Sequence, residues 1–420
     1  MTVVTAFLLL LFMAVPVALV LAIVSLIYIA HSDNWVLLAS YPQQLFSGLE
    51  NYGLMALPLF ILVGELMGET GIARRLMTMA AAMMGQVRGG LAYVNLLANM
   101  MMASILGSTV AQITVMTRMA VPEMEKAGYS REHAVALTAA GGLLAPIIPP
   151  SMLFVIFGVI AQISIGKLFI AGILPGILLS LSFFALLGWM AKRHDFPCKE
   201  KQSFREKRAA IMQGGYAALI PLTIVGTILA GLATPTEAAA LACLVSIAVG
   251  RFIYREFAWA ALWPAIVRTA RSSSIVLLLI ACAQVFSWVI TFENLPAQTA
   301  IWMQSVAGSA EVFLLLVLLL LLLVGMVLDP IPALILVVPV LLPVATDVYA
   351  IDPFHFGVIV CLTLVLGLLT PPVGSALFAA AALSGIRSER LAWLLLPYLL
   401  VMLCLLLLMI YIPGLVTGLI

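Results

Sequence analysis

Two proline clusters carry the strongest chemical signal in the sequence. Ala145-Pro146-Ile147-Ile148-Pro149-Pro150-Ser151 cannot run as continuous helix, because three prolines remove three backbone donors and clash with the preceding turns. Where a helix restarts after such a break, its free N–H groups and positive dipole end face the interruption, which suits an anionic group. Carbonyls freed on the other side suit Na⁺. Leu369-Thr370-Pro371-Pro372-Val373-Gly374-Ser375 repeats the device 222 residues later. A plain proline kink without a ligand is the bland alternative, and it does not explain why the same break occurs twice.

Each break has a second chemical segment upstream of it. Ser104, Gly107, Ser108 and Thr109 offer hydroxyls and a close backbone approach, while Gly325, Asp329, Pro330 and Pro332 offer a carboxylate. An isolated carboxylate near a bilayer centre costs at least ~2.5–3.5 kcal/mol, so it is retained with a cation, a proton or a partner. Asp329 is therefore the leading coupling-site candidate, against the reading of a simple helix cap before proline. Hydroxyls and helix ends point to an anion as substrate, with Ser108, Thr109, Ser151, Val373 and Ser375 as its expected contacts. Glu65 and Glu69 read as solvated or Arg-paired residues near a helix end. Thr234-Pro235-Thr236-Glu237 reads as a capping box, which structure alone explains.

Other chemistries lack residues. The four histidines (His31, His133, His194, His355) are scattered, and the cysteines lie far apart, four of the five in apolar runs, so no metal cofactor or disulfide framework is expected. Nothing resembles a nucleotide-binding loop, a Ser/His/Asp arrangement or an HExxH helix. ATP-driven transport by this chain alone and an intramembrane enzyme are both disfavoured.

The elements that position these residues follow from composition. Of 420 residues 64% are apolar and only 9% are charged, against about 25% in soluble proteins. At ~20 residues per crossing the chain supplies roughly ten spans. Segments 312–324 and 394–409 are apolar on every face, which excludes a barrel of alternating strands and predicts an all-α polytopic membrane protein. A net charge of +2 gives no nucleic-acid footprint. The first apolar run, 6–30, lacks a basic leader and reads as a retained helix.

Full crossings are predicted at 6–30, 54–70, 132–162, 166–191, 212–231, 235–254, 272–292, 354–384 and 391–415, with re-entrant hairpins at 91–122 and 312–343. Lys and Arg collect in cytoplasmic loops, and with a cytoplasmic N-terminus this scheme leaves only Lys167 of the 20 basic residues outside. The C-terminus is then periplasmic. Pro122, Pro149, Pro150 and Pro175 recur as Pro343, Pro371, Pro372 and Pro397 at offsets of 221 or 222. Five crossings separate the two copies, so the repeats are inverted, which is the mark of a secondary transporter with its site at the midplane. The expected organisation is a scaffold over 1–53, a first repeat over 54–191 with broken helix 132–162, and a basic loop over 192–211. Scaffold spans with a surface arm helix (212–271) and a second repeat over 272–420 with broken helix 354–384 complete it. The basic loop, and amphipathic segments near 72–88 and 256–271, are placed to meet membrane lipids.

The segment 122–176, with Pro-Glu-Met and Gly-Tyr-Ser near its start, Pro-Pro-Ser, and Leu-Phe-Ile-Ala-Gly-Ile-Leu-Pro-Gly, resembles the large permease subunit of TRAP (tripartite ATP-independent periplasmic) transporters. Ala233-Thr234-Pro235-Thr236-Glu237-Ala238-Ala239, Ile351-Asp352-Pro353-Phe354-His355-Phe356-Gly357 and Thr370-Pro371-Pro372-Val373-Gly374 carry the resemblance over nearly the whole chain. It implies an elevator-type importer in the bacterial inner membrane that takes up organic acids such as C4-dicarboxylates or sialic acids, coupled to Na⁺. It also implies a small four-helix membrane subunit and a periplasmic solute-binding protein as partners. Carried over by motif position, the sodium sites are Ser104, Gly107, Ser108, Pro149, Pro150 and Ser151 for one, and Gly325, Asp329, Thr370 and Gly374 for the other. A stand-alone divalent-anion/Na⁺ symporter or a Na⁺/H⁺ antiporter of similar architecture is the rival reading.

Overall fold

The computed structural model describes residues 2–13, 15–31, 35–84, 89–193 and 204–420. Arg88, His194, Cys198 and the rest of residues 194–203 in the basic loop expected at 192–211 lie outside the described residues, as does the side chain of Ser104. Every regular element described is helical.

The first apolar run forms two helices, α1 (Thr2–Phe12) and α2 (Val17–His31), because Pro16 falls between them and cannot donate into a continuing ladder. A short helix, α3 (Trp35–Ser47), occupies part of the expected outer loop. A 3₁₀ turn, Tyr52–Met55, is capped by the Asn51 side chain and leads into α4 (Ala56–Glu69). After Gly71, whose φ of +64° reverses the chain, the amphipathic α5 (Ile72–Met84) follows. Arg74 and Arg75 pair with Glu256 at 3.0 and 2.8 Å, and Arg75 also lies 3.8 Å above the Tyr254 ring, fastening α5 to a distant loop. The hydrogen bond from Arg75 holds the Glu256 carboxyl below its ordinary range.

Two helices, α6 (Gly90–Leu106) and α7 (Thr109–Lys126), meet at Gly107 and pack on each other. Next come α8 (Arg131–Gly142) and α9 (Met152–Ile160), separated by the first proline break, and then the long α10 (Ile165–Arg193). Beyond α11 (Phe204–Leu229), Thr234 and Glu237 form a complete capping box at the start of α12 (Pro235–Ala248), which continues as a π-helical turn over Val249–Ile253. The surface arm expected at 256–271 is mostly part of a single helix, α13 (Leu262–Phe292), since no breaker separates it from the apolar span. The helix α14 (Leu295–Val306) was not expected. The remainder is α15 (Ala310–Val327), α16 (Pro330–Pro343) with a π-helical turn over Val344–Val348, α17 (Pro353–Gly367), α18 (Ser375–Ser384), α19 (Ser388–Tyr411) and α20 (Gly414–Thr417).

Among the described residues, eight helices are long and apolar enough to cross a membrane: α4 with its preceding turn, α10 to α13, α15, α16 and α19. The expected crossings at 132–162 and 354–384 are absent from this set because each is cut into two short pieces. Those pieces form the centre of the molecule. Every residue from His355 to Gly367 in α17 is buried, as is Ala134 to Gly142 in α8, whereas a helix facing lipid would expose one side. Phe157 of α9 and Phe356 of α17 meet with ring centroids 6.5 Å apart, and Gly357 makes room for Phe157, since a Cβ there would come within 2.5 Å of its ring. The outer helices α4, α12 and α13 pack together, and α5 packs on α11.

Candidate functional site between hairpin tips and helix breaks

The second break lies against the turn between α15 and α16. Gly325 and Gly367 let α15 and α17 touch backbone to backbone, since a Cβ on Gly367 would stand 2.6 Å from the Gly325 carbonyl carbon. The Gly374 N–H donates to Met326 O at 2.8 Å, and Ser375 Oγ donates to Asp329 Oδ1 at 2.8 Å. Asp329 occupies the N-cap position of α16 yet makes no capping bond; its carboxylate reaches the start of α18 instead. It is exposed on the protein surface, contrary to the expectation of an enclosed carboxylate. Gly374 holds φ +51°, and a Cβ there would lie 2.8 and 3.0 Å from the carbonyl oxygens of Leu368 and Thr370. The Thr370 hydroxyl donates back to Leu366 O at 2.7 Å, leaving its carbonyl as the group that faces Gly374. Val373 is 42% exposed and makes no polar contribution.

The first break repeats the juxtaposition. Gly107, at φ +57°, faces the start of α9, where its missing Cβ would lie 3.5 Å from Met152 N. Ser108 sits at the N-cap of α7 without a capping bond. Ser151 is committed to structure: its hydroxyl donates to Pro146 O at 2.6 Å and accepts from Phe154 N, capping α9. Its proton is therefore not free for a ligand. Both the Pro149–Pro150 and Pro371–Pro372 bonds are cis.

A cavity of about 750 Å³ opens on Gly107, Ser108, Pro150 and Met152. Its opposite wall comes from α4, α11 and α13 and carries Glu65, Glu69, Arg268 and Ser272. Arg268 donates to Glu65 and Glu69 at 2.6 Å each, so the two acids are Arg-paired and the cluster keeps one net negative charge. Chemically, this cavity offers hydroxyls, backbone groups at a helix start and a charged rim. Sequence reading missed Arg268 and Ser272 as cavity residues, because the 199 positions separating Glu69 and Arg268 hide their proximity. It also missed a buried polar line through Asn95, Asn99, Gln112 and Thr138, although the four-residue spacing of the two asparagines in an apolar helix marked one face. Among the described residues, no group of three or more His, Cys, Asp or Glu side chains is placed to hold a metal.

Residues 4–415 match the family model described as the tripartite ATP-independent periplasmic transporter, DctM component. The chain is 37% identical over 374 residues to the 2,3-diketo-L-gulonate TRAP transporter large permease protein YiaN of Escherichia coli, covering 89% of this chain and 88% of that one. It is 33% identical over 390 residues to the sialic acid TRAP transporter large permease protein SiaM of Vibrio cholerae, covering 93% and 91%. Among solved structures, the YdaH transporter of Alcanivorax borkumensis superposes with a TM-score of 0.67 at 15% identity over 96% of this chain and 97% of that one, a likeness of fold. The chain belongs to the large permease (DctM) family of tripartite ATP-independent periplasmic transporters, which are multi-pass inner-membrane permeases and not enzymes.

Proposed function

We propose that this permease imports an organic acid anion in exchange for the energy of a Na⁺ gradient, moving the substrate by an elevator motion of its broken helices against the outer helices. The observation that carries the reading is the cavity with two unlike walls. One wall is a hairpin tip and a helix break (Gly107, Ser108, Pro150, Met152), and the other is formed by the intact helices α4, α11 and α13. A substrate held there would travel with the first wall and slide along the second. Inverted repeats give such a motion two equivalent end states, and midplane sites at discontinuous helices are their usual companion.

Hard cations take oxygen ligands. The tip–break junctions supply them as the carbonyls of Leu368 and Thr370 and the carboxylate of Asp329 on one side, and as the freed backbone near Pro149 and Pro150 on the other. Ser108, with the start of α9, suits a carboxylate, whereas Thr109 is buried and does not line the cavity. Relatives named for 2,3-diketo-L-gulonate and sialic acid favour an organic acid as substrate here. Permeases of this family work with a small membrane subunit and a periplasmic binding protein, and delivery of the anion by that protein is part of the reading. Uptake into liposomes holding the whole complex tests it. Replacing Na⁺ by choline should abolish uptake; uptake that persists in choline and follows an imposed pH gradient instead would overturn the sodium assignment.

A further inference from the structure

The second break has a bare side, which opens into a groove between α18 and α19. Its cavity of about 730 Å³ is floored by Pro371 and Pro372 and walled by Phe378, Trp393, Leu396 and Leu400. Ser388 and Glu389 stand at its mouth and Leu403 at its deep end. The groove thus follows α19 for about 21 Å, more than half of a hydrocarbon core of ~30 Å. Trp393 is 73% exposed, and Leu396, Leu400 and Phe378 are exposed as well.

The first repeat encloses the matching residues. Pro149 and Pro150 are buried where Pro371 and Pro372 are exposed, and Ile156 is 0% exposed where its counterpart Phe378, 222 residues later, is 47% exposed. Gly172 and Gly176 let α10 close on the first break: a Cβ on Gly172 would stand 2.3 Å from the Phe154 ring, and one on Gly176 3.3 Å from Ile148. Leu394 and Tyr398 occupy the corresponding positions of α19, and side chains of that size prevent the same approach. Protein therefore packs around the first pair of prolines and leaves the second pair bare. Walls without facing atoms forfeit their dispersion contacts, so an apolar chain of matching length is favoured in the groove.

The mouth of the groove carries opposite charges. Glu389 lines it, and Arg387 stands two residues earlier at the N-cap position of α19. Arg390 is taken by Glu132 at 3.0 Å, whereas Arg387 and Glu389 make no ion pair among the described residues. Arginine takes phosphate, and a carboxylate takes an ammonium group, through charge-assisted hydrogen bonds. A long apolar groove that ends in one cationic and one anionic side chain matches a phospholipid whose headgroup holds both a phosphate and a primary ammonium. An apolar helix of a partner protein would leave both charges unmatched. We propose that the groove binds one phosphatidylethanolamine molecule, with its phosphate at Arg387, its ammonium at Glu389 and one acyl chain laid against the second break. Lipid then completes for the second break the packing that protein supplies for the first. The site depends on the membrane placement of the chain and not on the sodium reading.

The permease with its small membrane subunit, stripped of lipid in detergent, would be titrated with phosphatidylethanolamine and with phosphatidylglycerol, whose headgroup lacks an ammonium. Thermal unfolding and the number of lipids retained in native mass spectrometry would be followed. The wild type should retain one phosphatidylethanolamine and reach half-maximal stabilisation at about tenfold lower concentration of it than of phosphatidylglycerol. Glu389→Gln, a change at the surface, should abolish that preference. Ala392→Phe, which fills the groove from α19, should lose the retained lipid. Should Ala392→Phe fail to fold, Glu389→Gln decides alone. Equal titration of the wild type by both lipids, or a wild-type preference and lipid count in the variants, would leave only the ordinary lipid annulus and overturn the site. A photo-crosslinking side chain in place of Trp393 that captures the small subunit instead of lipid would overturn it too.

Discussion

Asp329 links two elements through a single side chain. Its backbone caps α16, but its carboxylate accepts from Ser375 at the head of α18 and so joins the hairpin tip to the break. A capping carboxylate would bond its own helix; this one bonds another element, and in the proposed function its remaining lone pairs take the cation. Asn caps helices about as well as Asp. Asp329→Asn is therefore expected to insert and fold, while the Na⁺ concentration for half-maximal uptake rises about tenfold or uptake is lost, because a full charge is missing from the site. A wild-type Na⁺ activation curve in this variant would return Asp329 to a purely structural role. Ser151 is the opposite case, since its hydroxyl is consumed by Pro146 O and Phe154 N, and only its backbone remains for a ligand.

Among the elements, α15 and α17 depend on the absence of side chains where they cross. A Cβ at Gly367 would lie 2.6 Å from the Gly325 backbone, which cannot yield as a flexible side chain does. Gly367→Ala should therefore destabilise the protein by about 1–3 kcal/mol and displace the second break from its tip, lowering both the unfolding temperature and the uptake rate. Unaltered transport in that variant would mean that the close crossing does not position the site. The arm α5 is tied down by charge at Glu256, whose carboxyl Arg75 holds below the usual range. A depressed pKa contributes stability above the unfolded value of about 4.3 and loses it as pH falls through the folded value. Protection against hydrogen exchange over residues 72–84, measured relative to the intrinsic rate at each pH, should then fall on acidification through that interval in the wild type, and be low and unchanging with pH in Glu256→Gln. The two breaks were legible in the sequence because prolines act locally, and the amphipathic α5 was legible because its apolar face recurs with the helical period. By contrast, α14 was hidden by polar residues such as Gln298 and Gln304, and the boundary drawn inside α13 failed because a charged stretch does not end a helix. The line from Gln112 to Thr138 stayed unread because it joins residues 13 and 43 positions apart, a matter of tertiary packing alone.

Taken as a whole molecule, the permease carries its buried centre in the broken helices α8, α9 and α17 and its lipid-length helices around them. That distribution suits a moving core that holds the substrate within a frame that stays in place. Thermodynamic linkage makes the coupling reciprocal: if Na⁺ drives the anion inward, the anion must draw Na⁺ with it. The most direct measurement is therefore of the ion. Liposomes containing the complete complex, with the binding protein outside, would be given labelled Na⁺ and a panel of organic acids comprising a C4-dicarboxylate, sialic acid and 2,3-diketo-L-gulonate. The account predicts that one member of the panel accelerates Na⁺ entry in fixed proportion to its own uptake, and that omitting the binding protein suppresses both fluxes together. Uptake of an acid with no accompanying Na⁺ entry would contradict it.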